Sequence, residues 1–293
     1  MNVEDTSILF PALHPKEDLS RRSITTIHSR KGWAGVNWME LWRFRYLIYF
    51  FVWRDVKLRY RQTLLGASWA IIQPLASMLM FTLCFKMIAN VPSDGIPYPL
   101  FSYVSILVWT YFSKVTSSAG TCILGNKKLV SRVYFPRLIL PFATIFSHLV
   151  DFMIALIIII LPILFLGSTS FFAIILGLPA LTLLLLLFTF GVSCWLGTLH
   201  ILFRDIGFAV GFVIQLWMYV TPVIYPLSLV PASFQKFFYL NPLCGIFEAF
   251  RNILFGRSLN YEALGYSIAL SLLTLTTGVL FFLRHERKFA DLT

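Results

Sequence analysis

Charge is what this sequence has least of. Asp, Glu, Lys and Arg make up 13% of its 293 residues, against about 25% in soluble domains. Cysteine is also sparse. Cys84, Cys122, Cys194 and Cys244 stand apart, with no CxxC spacing and no clustered His. No disulfide framework or metal site is expected, and small buried hydrophobes account for all four. There is no GxxxxGK followed by Ser or Thr to cradle ATP phosphates. HExxH is missing, as is any pair of carboxylates or any nucleophile with a plausible base. Residues 1–36 lack an apolar signal-peptide core and read as a polar, proline-containing tail that stays on the cytoplasmic side.

What remains is 58% hydrophobic, with a mean hydropathy of +0.79. Several apolar runs exceed the roughly 18 residues that a soluble core can hide. They predict an all-α integral membrane protein with six spans, at about 64–89, 98–116, 138–166, 171–202, 206–228 and 263–283, within a membrane domain over 63–293. Lys114 is expected to snorkel at the cytoplasmic end of span two. Pro162 and Pro179 are expected to bend the long third and fourth spans.

Basic residues set the orientation. Eleven precede span one, five lie from Lys114 to Arg137, Arg204 follows span four, and three sit in the C-terminal tail. Only Lys86, Lys236, Arg251 and Arg257 fall on the other side. Both termini are therefore expected in the cytoplasm, and the net charge of +11 is a topology signal. No nucleic-acid partner is expected, because no soluble face exists to present the charge.

Three segments between the spans have their own character. Residues 37–62 mix aromatics with Arg and Lys around a short apolar core, Leu47 to Trp53, with capping-box spacing at Asn37 and Glu40. An amphipathic helix in the membrane interface is predicted. Its bases, Arg54, Lys57, Arg59 and Arg61, anchor lipid or touch a cytoplasmic partner. The acid-free loop at 126–137, with Lys127, Lys128, Arg132 and Arg137, serves as a positive-inside loop or as a short docking helix. The outer stretch from Pro226 to Glu262 is too apolar for a plain loop. It predicts two short re-entrant helices carrying Phe237, Phe238, Phe247, Glu248 and Arg251. Asn241 and Pro242 start the second and Gly256 stops it; Glu248 and Arg251 are spaced to pair. In span three, His148 and Asp151 share a face, as a structural pair or helix–helix hydrogen bond, or as a proton relay.

The blocks RDVKLRYRQTLLGASWAIIQP (54–74), NKKLVSRVYFPRLILP (126–141), RDIGFAVGFVIQLWMYVTPVIYP (204–226), YLNPLCGIFEAFRNILFG (239–256) and RHERKFAD (284–291) resemble, in order, the permease subunits of bacterial polysaccharide ABC exporters. The resemblance covers residues from about 40 to the end. It implies six spans with an interface helix and two outer gate helices. It also implies a homodimer joined by two copies of a separate ATPase that binds the ATP and Mg, with no cofactor on this chain. The expected function is export of a lipid-linked polysaccharide of O-antigen type across the bacterial inner membrane. A multispanning glycosyl- or acyltransferase or an ion-coupled carrier is the alternative.

With 29 Phe, 12 Tyr and 8 Trp, the chain offers many flat surfaces for the C–H faces of sugars, although most of these rings suit lipid and interface packing. Two stripes combine rings with polar groups. Trp69, Gln73, Ser77, Phe81 and Phe85 follow steps of four in span one, and Phe208, Phe212, Gln215 and Tyr219 follow helical steps in span five. Gln at mid-depth either glues helices together or bonds to sugar hydroxyls. The resemblance favours these two faces as walls of the substrate path.

Overall fold

The computed structural model describes residues 38–165, 169–203, 205–286 and 289. The tail at 1–36, Asn37, residues 166–168, Arg204 and half of the final block lie outside the described residues, as do the side chains of Trp38, Glu40 and Ser131. Among the described residues every regular element is helical.

In place of one interface helix there are two, α1 (Trp38–Arg43) and α2 (Arg45–Tyr60), broken at Phe44. After a turn in which Gln62 and Gly66 take positive φ, a continuous helical stretch covers Gly66–Ile88. Its α-helical part is α3 (Trp69–Phe81), with Pro74 inside, and Thr82–Ile88 widen into a π-helix. Then come α4 (Tyr98–Gly125), α5 (Lys127–Arg132) and α6 (Ile139–Phe165). The chain continues with α7 (Leu178–Leu202), entered through a π turn, and α8 (Ile206–Val220). The last elements are α9 (Ala232–Tyr239), α10 (Pro242–Leu254) and α11 (Tyr261–His285).

Four helical stretches are long and apolar enough to cross a membrane: Gly66–Ile88, Ile139–Phe165, Ala173–Leu202 and Tyr261–His285. Two expected spans come out differently. The second run becomes a helix of 28 residues, nine longer at its C-terminal end than the apolar pattern indicated. Its hydroxyls fold back onto its own carbonyls, as Ser105 does to Phe101 (2.7 Å) and Thr121 to Ser118 (3.1 Å), so polarity does not stop it. The fifth run is helical only to Val220. Pro222 has no N–H to continue the ladder, and Val223 bonds back to the Thr221 carbonyl at 2.7 Å.

The core centres on α4, which packs against α3, α6, α7, α8 and α10. Phe101 and most of Tyr103 to Phe112 are buried there. The most extensive interface joins α7 to α11. Close approach there requires glycine, since a Cβ on Gly278 would lie 2.3 Å from the Gly191 carbonyl oxygen. Small residues at helix crossings allow this packing, which lipid cannot drive by hydrophobicity alone.

Candidate functional site

At one end of the bundle, α2 lies along α6 and is fixed by charge. Arg59 donates to Asp151 and to the Ser147 carbonyl (3.2 Å), and Tyr60 donates to the other Asp151 oxygen at 2.5 Å. Both members of the Arg59–Asp151 ion pair are mostly shielded from solvent. Burial and then the Asp151 carboxylate push the Tyr60 hydroxyl up from 10.0 to about 12, so it stays a donor. Of the readings of His148 and Asp151, hydrogen bonds between helices are present and a direct pair between the two is not. His148 Nε2 meets Ser118 Oγ at 3.1 Å instead.

The same end gathers the basic loop. Arg54 donates to Asn126 Oδ1 (2.9 Å), pairs with Asp55 (2.8 Å) and lies over the Phe51 ring. Asn126 in turn donates to the Cys122 carbonyl (2.7 Å), and Phe51 meets Phe135 with centroids 6.2 Å apart. Glu286, after α11, accepts from the backbone N–H of Arg137 at 3.1 Å. The 126–137 segment is thus held at both ends. Lys57, Arg61, Lys127, Lys128 and Arg132 are exposed around it. Arg54 and Arg59 point into the protein and hold elements together. Sequence reasoning missed Tyr60, Asn126, Ser147 and Glu286, because their partners lie about 70 to 150 residues away.

The two aromatic stripes lie on α3 with its π extension and on α8, both packed on α4. Phe81 and Phe85 touch edge to face at 5.5 Å and are half-buried. Trp69 is exposed, Ser77 is half-buried, and Phe208, Phe212, Gln215 and Tyr219 are exposed along α8. Gln73 is already engaged, accepting from Lys114 Nζ at 2.9 Å. Lys114 therefore reaches a neighbouring helix, where sequence suggested snorkelling.

At the opposite end, α9 and α10 are the two short helices expected between the last long runs. The Asn241 side chain accepts from Leu243 N–H (3.2 Å), Pro242 is the first helical residue, and Gly256 takes φ 64° at the stop. Phe237 is exposed and Phe238 half-buried, whereas Phe247 is buried. Arg251, also buried, does not form an ion pair with Glu248. Its Nε donates to Ser105 Oγ (2.9 Å), its Nη2 to the Pro222 carbonyl (2.5 Å), and its guanidinium lies over Phe101. Those carbonyls are free because Pro222 ends α8. Burial lowers the Arg251 pKa and raises that of Glu248. Among the described residues no three His, Cys, Asp or Glu cluster to hold a metal.

The described residues thus form a helical bundle with four stretches long and apolar enough to cross a membrane, a basic, braced platform at one end and short packed helices at the other. The profile of the ABC-2 type transporter family matches residues 46–255, and the chain belongs to that family. Three curated relatives align over most of their length. An O-antigen export system permease protein, RfbA, of Klebsiella pneumoniae is 25% identical over 239 residues, 82% of this chain and 92% of the relative. The protein of the same name from Myxococcus xanthus is 28% identical over 257 residues, 86% of this chain and 97% of the relative. The polysialic acid transport protein KpsM of Escherichia coli is 23% identical over 251 residues, 80% and 91% of the two chains.

Proposed function

We propose that this chain is the membrane permease of an ATP-driven exporter that moves a lipid-linked polysaccharide of O-antigen type across the bacterial inner membrane. The observation that carries the reading is the family match together with relatives aligned over more than nine-tenths of their length, named for O-antigen export or polysialic acid transport. Six spans, with both termini cytoplasmic, form the domain. α4 joins the four long apolar stretches, since 28 residues at a rise of about 1.5 Å exceed the hydrocarbon thickness, and α8, apolar but only 15 residues long, is the shortest of the six. Two copies enclose the path, and α9 and α10 close its outer mouth.

A separate ATPase binds at the basic platform and supplies the ATP and Mg; this chain binds no cofactor. Exposed Lys57, Arg61, Lys127, Lys128 and Arg132 support an acidic docking partner. Deleting the gene should abolish the surface polysaccharide while its lipid-linked form accumulates inside, and the tagged chain should bring down a nucleotide-binding subunit. Normal surface polysaccharide in the deletion, or failure to synthesise the lipid-linked glycan, would sink the reading. The latter would favour a transferase.

A further inference from the structure

At the end of the bundle opposite α2 and α5, the 90–97 loop, the 226–229 turn, α9, α10 and the approach to α11 line a half-open cavity of about 170 Å³. Its lining holds two carboxylates, Asp94 and Glu248, and two guanidinium groups, Arg251 and Arg257. The formal charge of these groups is balanced.

The walls are pre-positioned. Ser228 donates to the Asp94 carboxylate at 2.8 Å, and Arg257 donates to the Asp94 carbonyl. Asn260 donates to the Tyr239 hydroxyl at 3.2 Å. Asn252 is fixed through the Ser258 carbonyl at 3.0 Å. Glu248 differs from these. The Asn260 side chain lies beside its carboxyl, but its Oε2 is buried with no partner at hydrogen-bond geometry, and an under-satisfied buried oxygen costs free energy.

The chemistry of the walls selects a ligand class. A free cation meets two guanidinium groups, and a free anion meets two carboxylates. An apolar ligand leaves the buried Glu248 oxygen without a partner. A neutral polyhydroxyl ring offers donors to the carboxylates, acceptors to the guanidinium and amide groups, and a C–H face to Tyr239. We propose that this cavity binds one sugar unit of a glycan, with Glu248 accepting from a ring hydroxyl. The site is distinct from the stripes on α3 and α8. The inference rests on the polysaccharide-export reading for the source of that glycan. A sugar seated there bridges the loop before α4 to α9 and α10.

The test uses the purified full chain in lipid nanodiscs and oligosaccharides released by mild acid from the surface polysaccharide of the native strain. Saturation-transfer NMR and titration read binding. Glu248→Leu removes the acceptor and the buried unpaired acid together. It should weaken binding about tenfold, the worth of one hydrogen bond to a charged group, while thermal stability holds or rises. Leu161→Ala, at an exposed position of α6 outside both the cavity and the aromatic stripes, should keep the Glu248-dependent binding. Unchanged affinity in Glu248→Leu overturns the proposal, as does a site that answers to calcium and not to the fragments. If Glu248→Leu does not fold, Asn252→Ala decides on the same terms. Deletion of the gene tests the export reading separately: lost surface polysaccharide with Glu248-independent binding removes the cavity's role and leaves export standing.

Discussion

Arg59 of α2 and Asp151 of α6 form an ion pair that fastens α2 to a helix long and apolar enough to cross a membrane. The Ser147 carbonyl and the Tyr60 hydroxyl complete the cluster. Asp151 lies well inside an apolar helix, where an ionised carboxylate is tolerated only when paired. Any movement that a partner imposes on α2 must therefore reach α6 through these side chains or break them.

Asp151→Asn is expected to destabilise the chain by about 2–3 kcal/mol, since it leaves Arg59 partly buried without its counter-charge. Thermal unfolding in detergent checks this. The exchange Arg59→Asp with Asp151→Arg should recover part of the loss. A double mutant no better than the sum of its singles would show that the pair contributes little.

The Tyr60 hydroxyl gives the cluster a pH signature. Its folded pKa, about 12, lies above its ordinary 10.0, so the protonated form is favoured by folding. The stability it contributes is fully present below pH 10 and is lost as pH rises through about 12. The wild-type midpoint should fall more steeply than that of Tyr60→Phe between about pH 10 and about pH 12, the window between the two pKa values. Parallel curves would remove Tyr60 from the cluster's energetics.

Exposed and inward-pointing bases should separate in a docking assay. Lys57→Glu with Lys127→Glu is expected to lower copurification of the ATPase while stability stays within about 0.5 kcal/mol, as for surface changes. Asn126→Ala removes the acceptor of Arg54 and the bond to Cys122, so it should lower both. Equal effects of the two variants on stability would contradict this division.

Phe81→Ala with Tyr219→Ala should reduce surface polysaccharide without lowering expression or partner binding, because Tyr219 is exposed and Phe81 half-buried on the single chain. Lost assembly would assign the rings to packing, and unchanged export would place them against lipid. In contrast, Phe247 is buried, and Phe247→Ala should cost about 3–5 kcal/mol.

Gly278→Ala is expected to cost about 1–3 kcal/mol by overpacking. The added methyl meets the Gly191 backbone at a point where neither helix can withdraw. Intact stability in this variant would mean that α7 and α11 approach less closely in the membrane.

The sequence by itself determined the all-helical membrane class, because apolar runs longer than a soluble core can hide leave the backbone no other solution. It also determined the start and stop of α10, since Asn241, Pro242 and Gly256 act through bonds and dihedrals within a few residues of themselves. The aromatic stripes were legible for the same local reason, as helical spacing fixes which residues share a face. Tertiary structure alone decided who pairs with whom. His148 and Asp151 are neighbours on one helix, yet Asp151 takes Arg59 and Tyr60, because α2 returns along α6 and brings a stronger donor. Glu248 and Arg251 share a turn, yet Arg251 turns to carbonyls freed where Pro222 ends a different helix. Charge and spacing state what a side chain needs; only the packing of distant helices settles which partner reaches it first.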